Sequence, residues 1–430
     1  MHTAFGGILL AFLALLASYF VPWVSQFPVI LGINRVWRPD PQFANLQESC
    51  TSLYPAELTG CEKFKIVGDS LFAACARDWD VRKKWFPPMR EFERFGGAPG
   101  VIRDRVYRID LKTKELTLLA MSNFPDALDF CAHGMDVIEV SPGEFSMFLV
   151  NHRRDGSVIE NFKYTAGSRE IVHVDTFNGT SYGLYNPNDV FAIPVSDASP
   201  DSEKAFFATN DHWFKDSAFG RLLELQLRLP TGSVFYHSKS TGFNKVLTGL
   251  ANANGITGFR DPQNPVLFVA AILDCRITAY NYKPGAILAS GGLTKLKDFT
   301  LDFVMDNLAI SKDSKWLYFA GHGEPQNLPK HWAKPDEISS ASMAYRMSLT
   351  ELGGHFGTRG ETGESRVEKI VMDRAGVLGN GSTTAIGDDE LNKFWMSGLG
   401  FNGILECDLH AAGENAENEE AEEEAEEDYE

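Results

Sequence analysis

Glu62, Asn188, Asn254, Asp306 and Asn307 carry side-chain oxygens suited to a hard divalent cation, and no thiol stands among them. Calcium takes about six to eight oxygens from carboxylates, amides, carbonyls and water. Two carboxylates bring charge, and three amides leave the ion electron-poor, able to polarise a substrate carbonyl and steady the oxyanion formed on attack. Zinc would draw on His or Cys in a tetrahedral set, which this group does not offer. Two histidines complement the oxygens. His133 opens an apolar run in CAHGMD, and His152 closes the next run in LVNHRR. Adjacent antiparallel strands bring the start of one beside the end of its neighbour. The pair is therefore expected to face each other, one imidazole taking a proton from water and the other orienting or relaying it. Asp211 and His212 (TNDHWF) and His322 (AGHGEP) end corresponding runs later in the chain and are expected as pocket wall. The bland reading is asparagine turns and hydrogen-bonded core histidines. No GxSxG elbow, P-loop or dinucleotide fingerprint appears, so a covalent serine mechanism has no support.

These residues are far apart in sequence, so a repeating architecture must gather them. Six times, a polar residue opens a short apolar segment and a second apolar run follows. The openers are Glu62, His133, Asn188, Asn254, Asn307 and Ser382, at intervals of roughly 50 to 75 residues. That period suits a four-stranded propeller blade with loop insertions. The expected fold is an all-β, six-bladed β-propeller closed by pairing of N- and C-terminal strands, whose openers converge on the central axis. Cys50 and Cys407 bracket the repeats, so a bridge between them would lock the ring. Cys61, Cys75, Cys131 and Cys275 sit in apolar runs and are expected as small core residues. DSAFGRLLELQLR fits an amphipathic helix opened by an Asp216 cap or a strand with alternate leucines; the helix is preferred, as a lid, a membrane contact or a core-packed element. The Pro-rich insertion 321–343 is expected to shape the pocket mouth.

The chain divides into a signal peptide or membrane anchor (1–25), a neck (26–49), the propeller (50–409) and a disordered acidic tail (410–430). Ala4–Val24 is almost continuously apolar and long enough to span a bilayer. The net charge is −18, of which the tail Glu414–Glu430 supplies eleven acidic residues. The body is thus mildly acidic with no Lys/Arg cluster, which argues against nucleic acid. Sequons at Asn178 (NGT) and Asn380 (NGS) and the bracketing cysteines place the chain in the secretory pathway, secreted or lumenal and membrane-anchored. Through the N-terminal segment, a membrane or lipid surface is an expected partner.

The phrases ELTGCEKFKI, AHGMDV, FLVNH, NPNDVFA, FFATNDHWF, NANGI, MDNLAIS, GSTTA and ILECDL, in this order, resemble the paraoxonase/arylesterase family. The resemblance implies a calcium-dependent six-bladed propeller that hydrolyses lactones and aryl esters. It implies Glu62, Asn188, Asn254, Asp306 and Asn307 as catalytic-calcium ligands, His133 and His152 as a histidine dyad, and Cys50–Cys407 as the closing disulfide. It also implies a second, structural calcium held by an acidic residue directly after Glu62, by Asp189 and by the Met135 carbonyl. Here that residue is Lys63, whose ammonium can pair with Asp189 as a point charge. One calcium is therefore expected rather than two. Two alternatives are a strictosidine synthase-like propeller that condenses amines with aldehydes, and a non-catalytic propeller used as a binding platform.

Overall fold

Short runs of Phe, Val, Ile and Ala, broken by Gly, Asn and Asp, form strands from Thr51 to Asp408. The computed structural model describes residues 24, 26–93, 100–194, 205–261, 263–282, 292–349 and 367–410. The acidic tail from residue 411, and all of the apolar N-terminal segment but Val24, lie outside the described residues. Among the described residues no helix is long and apolar enough to cross a membrane.

The strands assemble into an all-β, propeller-like arrangement. Three four-stranded antiparallel sheets begin at the strands Pro187–Ile193, Ala253–Phe259 and Val304–Ile310. A fourth joins Thr51–Leu53 to Ile404–Asp408, Lys393–Gly398 and Ser382–Asp388, so one sheet contains both ends of the strand region. An eight-stranded sheet consists of two antiparallel four-stranded halves, beginning at Thr59–Val67 and Ala132–Ser141. Parallel pairing of their last strands, Leu116–Ser122 and Glu170–Phe177, joins the halves. The first strands touch one another in sequence order, and Ser382–Asp388 touches Thr59–Val67 to complete the circuit.

Burial falls from the axis outwards. Inner and second strands such as Pro187–Ile193 (PNDVFAI), Ala205–Asn210 (AFFATN) and Val266–Ala271 (VLFVAA) are buried along their whole length. Neighbouring sheets cover both of their faces, so these sequences are continuous apolar runs instead of alternating ones. Outermost strands such as Leu116–Ser122 and Leu293–Thr300 are only partly buried. Phe268, Phe299, Phe303 and Phe319 fill one inter-sheet core, and Phe72, Phe130 and Phe162 another. Each fully buried Phe is worth about 1.5–3 kcal/mol over an exposed one.

Carboxylates stitch the inner strands together. Asp136 accepts from its own Val137 N at 3.0 Å and from Ala192 N of the next inner strand at 2.8 Å. Asp189 repeats the device with Val190 N at 2.8 Å and Ile256 N at 2.9 Å. Cys50 and Cys407 are bonded, a link across 357 residues. Cys61 and Cys75 are also bonded, which corrects the expectation that they are unpaired core residues. They lie on the paired strands Thr59–Val67 and Ser70–Ala76, where a register shift at the start of the first strand leaves Cys61 facing Cys75. Cys131 and Cys275 are buried free thiols.

Candidate active site

All six inner strands share one irregularity. Their ladders shift register between Thr59 and Lys63, Ala132 and Met135, Pro187 and Val190, Ala253 and Ile256, Met305 and Leu308, and Ser382 and Thr384. Glu62, His133, Asn188, Asn254, Asp306 and Asn307 all fall inside these shifts. A bulge leaves residues unpaired and re-aims their side chains, so polar groups that alternation would send into a sheet interface turn to the axis. Glycines allow the strands to meet there. A Cβ on Gly134 would overlap the Asn188 carbonyl oxygen, and one on Gly255 would lie 2.5 Å from the Asp306 carbonyl oxygen.

Glu62, His133, Asn188, Asn254 and Asp306 line one cavity of about 470 Å³, together with Asp211, His212 and His322. Asn307 turns aside to donate its Nδ2 to Glu62 Oε1 at 2.5 Å. Ser382, the sixth opener, is not among the lining residues; its hydroxyl donates to the Gly321 carbonyl at 3.0 Å. His152 lies behind His133, its Nε2 3.0 Å from His133 Nδ1 and its Nδ1 2.9 Å from Ser157 Oγ. His133 Nε2 lies 3.6 Å from Glu62 Oε1. His322 Nε2 reaches Asp306 Oδ2 at 3.2 Å. His212 Nδ1 lies 2.9 Å from Asp211 Oδ1, an ion-pair distance off the hydrogen-bonding line.

These neighbours set the charges. Burial opposes the charged form of His133, but the Glu62 carboxylate outweighs it and holds the imidazole above its ordinary range. Burial and then the His133 charge hold His152 well below that range, so a proton on the pair rests on His133. Burial lifts Asp306, opposed by the His322 hydrogen bond and reinforced by Glu62. Burial also penalises Asp211, yet His212, Arg221 and His133 bring it down to about 2.

The donor set fits a hard divalent cation. Each of its five residues keeps one buried oxygen without a hydrogen-bond partner: Glu62 Oε2, Asn188 Oδ1, Asn254 Oδ1, Asp306 Oδ1 and Asn307 Oδ1. A buried polar atom left unpaired costs about 1–3 kcal/mol, and two carboxylates buried together repel. A cation relieves both costs. Among the described residues no three His, Cys, Asp or Glu side chains form a metal cluster; here all donors except Glu62 and Asp306 are amides. Deeper in the hub, Lys63 Nζ forms a buried ion pair with Asp189. Met135 is fully buried on the adjoining inner strand.

Three segments roof the cavity. The helix Ala218–Gln226 contributes Leu222 and Leu225. Its cap is Ser217, whose side chain accepts from Gly220 N, which corrects the expected Asp216 cap. Its buried groups are Gly220, Arg221 and Glu224, while Phe219, Leu223 and Leu227 are exposed. Arg221 anchors it by bonding to Asn186 and to the Pro87 carbonyl. The insertion after His322 forms a short helix, Leu328–Ala333, and contributes Pro325, Leu328 and Pro329.

The third roof was not foreseen. Trp85 donates its indole N–H to the His152 carbonyl at 2.7 Å. Phe86 meets both imidazoles edge-on, with ring centroids 5.1 Å from His133 and 5.7 Å from His152. The unusually long interval between the strands Ser70–Ala76 and Arg105–Asp110 was the available signal. Phe27, Ile30 and Leu31 of the neck also reach the mouth. Away from the cavity, Asn178 is exposed, its Oδ1 accepting from Thr180 N, and Asn380 is half-buried.

A family model described as arylesterase matches residues 95–352. Serum paraoxonase/arylesterase 2 of Gallus gallus is 27% identical over 307 residues, covering 71% of this chain and 76% of that protein. The Bos taurus protein of the same name is 30% identical over 280 residues, covering 65% and 69%. Serum paraoxonase/arylesterase 1 of Homo sapiens is 24% identical over 330 residues, covering 75% and 80%.

Proposed function

Since this chain belongs to the paraoxonase/arylesterase family, we propose that it is a calcium-dependent hydrolase of lactones or aryl esters, working at the cavity that Glu62 and His133 line. The five unpartnered oxygens at one end of the hub carry this reading. The two halves of the eight-stranded sheet, counted separately beside the four four-stranded sheets, support reading it as a six-bladed propeller.

Glu62, Asn188, Asn254, Asp306 and Asn307 would hold one calcium ion, which supplies polarisation of the ester carbonyl and stabilisation of negative charge on its oxygen. The residues around it do the rest. In its neutral form His133 takes the proton of the attacking water at Nε2, and the imidazolium so formed, which Glu62 favours, gives it to the alkoxide as the acyl C–O bond breaks. Its Nδ1 is fixed against His152 Nε2, and Ser157 orients His152 in turn. Phe86 and Trp85 cover the pair and keep bulk water from it. Leu222, Leu225 and Leu328 offer the apolar wall against which the rest of an ester packs.

The Lys63–Asp189 ion pair supports a single calcium, because an ammonium already neutralises the second carboxylate. The two disulfides suit an oxidising compartment, and with the serum relatives they support the secretory pathway. Of the two sequons, exposed Asn178 is the better glycan acceptor.

The decisive experiment is a panel of lactones and aryl esters assayed with calcium and in excess chelator. Turnover that disappears with chelator and returns with calcium is expected; full turnover in chelator would sink the calcium reading. Failure to hydrolyse any member of the panel would leave the non-catalytic propeller as the better account.

A further inference from the structure

A second cavity, of about 370 Å³, opens at the opposite end of the inner strands. All six inner strands deliver a residue from their last turns or the loops that follow, among them Lys65, Ile138, Pro194, Arg260, Ile310 and Ile386. Its wall is mainly apolar, with Phe259 beside those aliphatic residues. Two cations interrupt that wall. Lys65 Nζ lies 3.1 Å from Asp136 Oδ1, and Arg260 Nη2 pairs with Asp136 Oδ2. Arg260 also donates its Nε to the Ala192 carbonyl at 2.8 Å, and its guanidinium lies over the Phe191 ring, 4.4 Å from the centroid.

Asp136 has nothing further to give these cations. Each of its oxygens already accepts one backbone N–H, from Val137 and Ala192, besides one cation. The deeper lysine, Lys63, has its own carboxylate in Asp189. Lys63, Lys65 and Arg260 therefore share the two buried carboxylates of Asp136 and Asp189. Lys65 spends one of three donors on Asp136, and Arg260 two of five on Asp136 and Ala192. Glu139 and Asp388 stand at the rim as well, each accepting a backbone N–H, from Gly143 at 2.9 Å and from Leu391 at 3.0 Å. Lys312 at the same rim pairs with Glu390 at 2.8 Å.

We propose that this second cavity binds a small organic carboxylate, its head group held by Lys65 and Arg260 and its apolar body packed against Phe259, Ile310 and Ile386. A partly buried, planar guanidinium beside a lysine suits a carboxylate, and charge-assisted hydrogen bonds in such a setting are stronger than neutral ones. The volume falls within the range of small-molecule pockets. The site lies at the far end of the inner strands from Glu62 and His133, so it stands whether or not the chain hydrolyses esters.

The test titrates the full chain, with calcium present, with octanoate, octanol and octylammonium by isothermal calorimetry. Octanoate should bind saturably and at least tenfold more tightly than octanol, and octylammonium should not displace it. Lys65→Gln should weaken octanoate at least tenfold, Lys65→Arg should restore most of it, and both should leave ester turnover within about twofold of the parent. Octanoate binding should also survive Asn254→Ala, which disables the first cavity. Equal affinity for octanoate and octanol would overturn the proposal, as would octanoate binding that is lost with Asn254→Ala. Where a variant does not fold, the same three probes titrated into the parent in excess chelator decide the matter, because calcium in the first cavity would itself attract a carboxylate.

Discussion

Asn307 Nδ2 donates to Glu62 Oε1 at 2.5 Å, across 245 residues of sequence. The bond turns the amide so that Asn307 Oδ1 and Glu62 Oε2 are both left buried and unpartnered. One contact thus orients two of the five oxygen donors, and it exists only when the inner strands have closed into a ring.

Asn254→Ala removes one of those oxygens without disturbing a carboxylate. Calcium affinity, followed by calorimetry, should fall and lactone turnover should drop to background, while the circular dichroism spectrum stays that of the parent. Normal calcium binding by this variant would remove Asn254 from the ligand set.

His133→Gln keeps much of the volume and loses the base. Lactone hydrolysis should fall by about 10²–10⁴, the range for a lost acid–base group, with calcium affinity nearly unchanged. Ser157→Ala, which frees His152 Nδ1, should cost less than His133→Gln. An unaltered rate in His133→Gln would assign the proton to another group.

Lys63→Met leaves the Asp189 carboxylate buried without its cation. Breaking such a pair costs about 3–5 kcal/mol, to be read from chemical denaturation. Lys63→Asp would place two carboxylates side by side instead, and metal analysis should then find a second calcium per chain. A count of two in the parent would overturn the single-ion reading.

Gly134→Ala sets a methyl against the Asn188 carbonyl oxygen, in the backbone of the next inner strand. Overpacking of this kind costs about 1–3 kcal/mol, and here it also displaces Asn188 and His133. Lower thermal stability together with weakened calcium affinity is expected. A variant as stable and as tightly bound to calcium as the parent would show that the hub can widen.

Cys407→Ser opens the covalent link between the two ends of the strand region. The chain-entropy argument gives a loss on the order of 5 kcal/mol for so long a loop, measurable as a lower denaturation midpoint. A midpoint equal to that of the parent would mean that the pairing of Thr51–Leu53 with Ile404–Asp408 holds the ring alone.

Much of this was legible in the residues. Apolar runs of β-branched and aromatic type, punctuated by Gly, Asn and Asp, specify strands locally, and their repetition fixes equivalent positions without any tertiary information. The helix after Asp216 and the link between Cys50 and Cys407 are present. Tertiary structure decided what depends on register and on close approach. Alternation along a strand carries no mark of the bulge that turns Asn188 or Asn254 to the axis, or of the one that brings Cys61 against Cys75. Ser217 displaced Asp216 as the cap because the helix begins one residue later than its polarity suggests. Trp85 and Phe86, in an insertion with no periodicity, found the histidine pair only because packing against Trp332 and Leu399 folds that insertion over the hub. Composition and spacing select which residues meet, because they act locally; which atoms they present to each other is settled by backbone closure, because it sums over the whole ring.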